Sequence, residues 1–86
     1  MPRVARVTDT GSHGGSITTG SGTTTVDGLA VARVGDTYAC PLHGSNPIVT
    51  GSGVYSVDGK AVARIGDRTQ CGALITSGSG THSDGG

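Results

Sequence analysis

One phrase recurs three times in this chain of 86 residues, and its register constrains the fold more than any other feature. It reads Val4-Ala5-Arg6-Val7-Thr8-Asp9, then Val31-Ala32-Arg33-Val34-Gly35-Asp36, then Val62-Ala63-Arg64-Ile65-Gly66-Asp67. Each copy leads on to a second phrase: Gly20-Ser21-Gly22, Gly51-Ser52-Gly53 and Gly78-Ser79-Gly80. Arg6 and Arg33 are 27 residues apart, Arg33 and Arg64 are 31, and the four extra residues fall in the middle copy. Asp9 to His13 and Asp67 to Cys71 each span four positions, whereas Asp36 to His43 spans seven; the remaining residue lies after His43. An internal period of this kind means one supersecondary unit built three times, with equivalent segments making equivalent contacts in a closed ring. We therefore expect a single domain over residues 1–86, with repeats at about 2–28, 29–59 and 60–86 and pseudo-threefold symmetry.

The local patterns within a copy are those of short strands. Val4 to Val7 is rich in β-branched residues, Thr10 to Gly15 is loop-like, and Ser16 to Thr19 alternates before Gly20-Ser21-Gly22 turns the chain. Thr23 to Val26 reads as a strand, and so do Ile48 to Thr50 and Val54 to Val57 in the middle copy. Asp27-Gly28 and Asp58-Gly59 are hairpin signals, because a two-residue turn of this type needs positive φ at both positions. The third copy departs at its end, where Thr81 to Gly86 lacks the apolar strand residues. Nowhere do helical spacing and capping residues coincide, and Gly and β-branched residues disfavour helix throughout. The chain is expected to be all-β.

A β domain this small has trouble burying enough apolar surface to offset the entropy of ordering its backbone. Here 33% of residues are hydrophobic, there is no Phe or Trp, and Tyr38 and Tyr55 are the two aromatic residues. The 17 glycines resemble a flexible segment, but apolar positions recurring in register argue for a packed fold. Something must staple it: a disulfide, a metal, oligomerisation or a partner. His13, His43 and Cys71 fall at one equivalent place, each immediately before a glycine. Thiolate and imidazole are the preferred zinc ligands, and a structural zinc takes four protein donors. Two residues compete for the fourth position. His82 lies where the third copy abandons its pattern, and we favour it; Cys40, three residues before His43, aligns with His13 and Cys71 if counted from the preceding Asp. A Cys40–Cys71 disulfide is the alternative to a metal.

Several function classes are disfavoured. Six basic and six acidic residues cancel, and no basic block points to nucleic acid or a membrane surface. No apolar run approaches the roughly 20 residues of a membrane span, and the N-terminus has no signal-peptide core, so the chain is expected to be cytoplasmic when made. There is no Glu to act as a general base and no phosphate-binding glycine loop. Four protein ligands on zinc leave no position for a reactive water, so a catalytic role is not expected. The pairs Arg6/Asp9, Arg33/Asp36 and Arg64/Asp67 are either charged rings at an interface or turn-holding groups whose carboxylates accept backbone hydrogen bonds.

These residues resemble the PAAR family, named for a Pro-Ala-Ala-Arg repeat. The motif stands here as Pro2-Arg3-Val4-Ala5-Arg6, as Val31-Ala32-Arg33 with Gly35-Asp36, and as Ala61-Val62-Ala63-Arg64 with Gly66-Asp67. Ser12-His13-Gly14-Gly15, Cys40-Pro41-Leu42-His43-Gly44 and Gln70-Cys71-Gly72 accompany it. Strict Pro-Ala-Ala-Arg is nowhere intact, and the surrounding Ala-Arg-Val-Gly-Asp phrase carries the resemblance over essentially the whole chain. The resemblance implies a conical β domain with a structural zinc near its vertex. The family's three-His, one-Cys ligation maps onto His13, His43, His82 and Cys71, with Cys40 the competing sulfur. It further implies a non-enzymatic tip on a trimeric valine-glycine-repeat (VgrG-like) spike, one copy per trimer, in a type VI secretion system or a related contractile tail. Such a tip would be assembled in the cytoplasm, carry effector cargo non-covalently, and be secreted or delivered into a target cell on contraction, touching the target membrane only transiently.

Overall fold

The three Val-Ala-Arg phrases meet around one axis and hydrogen-bond to each other in a closed ring. In the computed structural model, which describes residues 3–79, antiparallel bridges join Arg6 to Val31, Arg33 to Val62 and Arg64 to Val4. Copy one thus pairs with copy two, two with three, and three returns to one. At the centre, the Ala32 N–H donates to the Ala5 carbonyl at 3.0 Å, Ala63 to Ala32 at 2.9 Å, and Ala5 to Ala63 at 2.9 Å. These three alanines are fully buried. The symmetry expected from the repeat is therefore present as a cyclic set of backbone hydrogen bonds, each satisfying a donor and an acceptor that burial would otherwise leave costly.

Regular strands are short. They are β1 (Ser16–Ile17), β2 (Thr25–Val26), β3 (Leu29–Ala30), β4 (Thr37–Cys40), β5 (Gly44–Pro47), β6 (Ser56–Val57) and β7 (Lys60–Ala61). β1, β4 and β5 form one sheet in that order, while β2–β3 and β6–β7 are separate hairpins. The two Asp-Gly signals turn those hairpins as expected, with φ of 55° and 79° at Asp27 and Gly28 and 56° and 76° at Asp58 and Gly59. The strands expected at 23–26 and 54–57 are confined to their last two residues. The cause is local: the Ser21 hydroxyl accepts the N–H groups of Thr23 and Thr24, and Ser52 does the same for Val54 and Tyr55, holding those residues in a turn. The expected strand at 48–50 is likewise reduced to a bridge from Ile48 to Thr69, as the equivalent Leu74 and Ile75 of the third copy are to bridges with Arg68 and Gly11. No helix occurs among the described residues.

Two apolar layers stack within the ring. One holds Ile17, Ile48 and Ile75, equivalent by repeat, with Tyr38, Cys40, Ala73 and the central alanines. The other holds Val4, Val31 and Val62 with Val26 and Val57. Burying each such side chain contributes about 1.5–3 kcal/mol, and the repeat multiplies a small gain threefold. The result is all-β, built from three repeats and elongated along one axis, 32 × 23 × 23 Å.

The Arg/Asp pairs hold turns and join copies. Asp9, Asp36 and Asp67 are buried, and each accepts at Oδ2 the backbone N–H of its own arginine, at 2.7, 2.8 and 2.7 Å, and that arginine's Nε–H. At Oδ1 each accepts a hydroxyl from the preceding copy: Ser77 to Asp9, Thr19 to Asp36 and Thr50 to Asp67. Arg6 and Arg33 reach outward through Nη1 to Asp27 and Asp58, which also accept from Ser79 and Ser21. These contacts are those of the turn-holding reading open from sequence.

Candidate metal centre

After each buried Asp the chain folds into a small hairpin, and the cross-strand pairs fix where its donor stands. Thr10 pairs with Ser16, Arg68 with Leu74, and Thr37 with Pro47. The third residue beyond the first partner is His13 in copy one, Cys71 in copy three and Cys40 in the middle copy. By strand register, then, the threefold-equivalent trio is His13, Cys40 and Cys71. The insertion lengthens the middle hairpin so that Cys40 pairs with Gly44 across a turn of Pro41, Leu42 and His43, and this turn brings His43 beside the trio. In the outer copies the turn closes through Gly14 N–H to Gly11 and Gly72 N–H to Thr69, both 3.0 Å, with φ of 86° at Gly14 and 89° at Gly72. These are left-handed positions that glycine occupies without steric cost.

The four donor atoms lie within 4.8 Å of one another. Cys40 Sγ is 3.5 Å from His13 Nδ1 and 3.5 Å from His43 Nδ1, and Cys71 Sγ is 3.6 Å from His13 Nδ1. A tetrahedral zinc with Zn–S of about 2.3 Å and Zn–N of about 2.0–2.1 Å separates sulfur from nitrogen by about 3.5 Å. The spacing therefore fits one ion between them. Two thiolates and two neutral imidazoles balance a dication, and four protein donors fill a tetrahedral shell without a water position. Both cysteines are free thiols, so the disulfide reading of this pair does not describe the structure.

The surroundings orient the donors. Burial pushes the Cys71 thiol up, but hydrogen bonds from the Thr69 hydroxyl and the Ala73 backbone, with Cys40 and His13 close by, outweigh it and bring the group down to about 6. Asn46 on β5 accepts the Cys71 N–H at 3.1 Å and donates to the Gly44 carbonyl at 2.9 Å, tying the third-copy loop to the middle hairpin. Beneath the site, Tyr38 is fully buried and its hydroxyl accepts the Gly15 N–H at 3.0 Å. A Cβ at Gly15 would fall 1.9 Å from the Ala39 carbonyl oxygen, so β1 and β4 approach this closely only with glycine there.

Three of the residues expected from sequence, His13, His43 and Cys71, are brought together, and Cys40 stands with them. His82 lies outside the described residues. The signal for Cys40 is its four-residue spacing from Asp36, the same as Asp9 to His13 and Asp67 to Cys71. Compared with known proteins, residues 4–85 match the sequence model described as the PAAR motif, nearly the whole chain. No curated protein matches it.

Proposed function

The chain belongs to the PAAR motif family, and from that premise we propose that it is a structural, non-enzymatic tip capping a trimeric valine-glycine-repeat spike of a type VI secretion system or related contractile tail. The observation that carries this reading is the cyclic hydrogen bonding of Ala5, Ala32 and Ala63, by which one polypeptide presents three equivalent faces. A trimeric β-helix ends in three equivalent sets of strand edges, which invite pairing and aggregation unless covered. One chain with threefold repetition matches all three at once, giving one copy per trimer.

Zinc is the metal that the donor set favours, held by His13, Cys40, His43 and Cys71. Bound there, it serves as a crosslink rather than a Lewis acid, because the four protein groups complete its shell. The donors come from all three copies, so the crosslink stiffens the end of the domain where the copies converge. The protein is assembled in the cytoplasm, travels outward on contraction, carries any effector without covalent attachment, and touches the target membrane briefly. Native mass spectrometry of the chain mixed with a trimeric spike tests the reading: one copy per trimer is expected, and three copies or no complex overturns it. Elemental analysis of the purified chain is expected to give one zinc per molecule.

A further inference from the structure

We propose that Cys40 and Cys71 form a disulfide under oxidation, releasing any metal they hold, so that the same two residues staple the middle and third copies in either state. Their sulfurs lie within 4.8 Å and face the same His13 Nδ1, at 3.5 and 3.6 Å. The backbones carrying them are already fastened together. Ile48 bridges Thr69, the Gln70 N–H donates to the Pro47 carbonyl at 2.9 Å, and the Cys71 N–H donates to Asn46 Oδ1. Closing the bond to about 2.05 Å therefore asks the sulfurs to approach each other with no new meeting of chain segments.

The two thiols differ in a way that sets the order of reaction. Cys71 is half-buried and open to a small oxidant, whereas Cys40 is buried behind it. The Cys71 thiolate attacks one sulfur of a low-molecular-weight disulfide such as oxidised glutathione, forming a mixed disulfide and expelling one glutathione thiolate. Cys40 then attacks the Cys71 sulfur, forming the protein disulfide and expelling the second thiolate. Two protein thiolates are oxidised and one glutathione disulfide is reduced to two thiolates. A metal held by the pair leaves as the dication. In a reducing compartment the metal-bound dithiolate persists, while in an oxidising one the covalent form takes over. The inference concerns the metal centre and stands apart from spike binding.

The test uses the full chain. Its metal content is measured first, then it is titrated with oxidised glutathione while a chromophoric chelator reports zinc, and intact mass and peptide maps follow the cysteines. The expected result is loss of two thiols for each zinc released, a monomer lighter by two hydrogens, and a Cys40–Cys71 crosslinked peptide. Reductant with added zinc reverses it. A chain that holds no metal as purified but still forms this crosslink keeps the redox pair and defeats the zinc reading. Two glutathione adducts that persist, a disulfide between chains, or zinc retained with both thiols intact overturns the proposal. In Cys40→Ser the reaction is expected to stall at a Cys71 adduct; where that variant does not fold, the wild-type peptide map decides the outcome.

Discussion

Cys40 Sγ stands 3.5 Å from His13 Nδ1, joining the middle copy to the first at the point where all three hairpins converge. The contact follows from strand register, because both residues sit three positions beyond the first cross-strand partner of their hairpins. It makes Cys40 part of the candidate donor cluster on equal terms with Cys71.

Removing that sulfur should therefore remove the metal. Cys40→Ser and Cys71→Ser are each expected to weaken zinc binding by more than about 100-fold, beyond the 10–100-fold typical of changes outside the ligand shell. His82→Ala is expected to retain one zinc per chain, as measured by elemental analysis after exhaustive dialysis. Loss of zinc in His82→Ala with retention in Cys40→Ser would contradict this ligand set.

Thr8 carries a local cost that the other copies avoid. Its φ is 82°, and the equivalent positions are Gly35 at 94° and Gly66 at 93°. A β-branched residue in the left-handed region costs about 1–2 kcal/mol, against which glycine gives back somewhat less in unfolded-chain entropy. Thr8→Gly is expected to stabilise the domain by about 1 kcal/mol in urea unfolding, and Gly35→Thr to destabilise it by about as much.

Acid should weaken the links between copies. Burial pushes Asp36 up, but the Arg33 guanidinium and backbone N–H, with the Thr19 hydroxyl, hold it below its usual value of 3.8. A depressed folded-state value means the carboxylate stabilises the fold fully above the unfolded value and loses that contribution as pH falls through the folded one. Stability is thus expected to decline below about pH 4. Asp36→Asn should flatten that part of the profile and cost about 1–3 kcal/mol at neutral pH, since it turns one of the two acceptor oxygens into an N–H donor facing the Arg33 or Thr19 donors.

Glycine at position 15 is required by a close approach. Gly15→Ala would set a methyl group 1.9 Å from the Ala39 carbonyl oxygen and force β1 away from β4. The expected cost is about 3 kcal/mol or more, at the upper end for overpacking. Gly22→Ala, where nothing lies within 4 Å, serves as the control and should be close to neutral in thermal unfolding.

Much of the architecture was legible in the linear chain. The three registered phrases implied a threefold all-β domain, and Asp27-Gly28 and Asp58-Gly59 marked their hairpins, because both features depend on neighbours in sequence. Spacing singled out His13, His43 and Cys71, and the three meet in one cluster, but the residue equivalent to His13 and Cys71 in the middle copy is Cys40. What spacing left open was the place of the insertion in the middle copy, before or after Cys40. The pairing of Thr37 with Pro47 and of Cys40 with Gly44 decides it, since a cross-strand register assigns each residue a position in space that a sequence gap does not. The roles of Asp9, Asp36 and Asp67 likewise came from tertiary structure. Their carboxylates each accept a hydroxyl from the preceding copy, Ser77, Thr19 and Thr50 respectively, and such contacts exist only once the ring has closed.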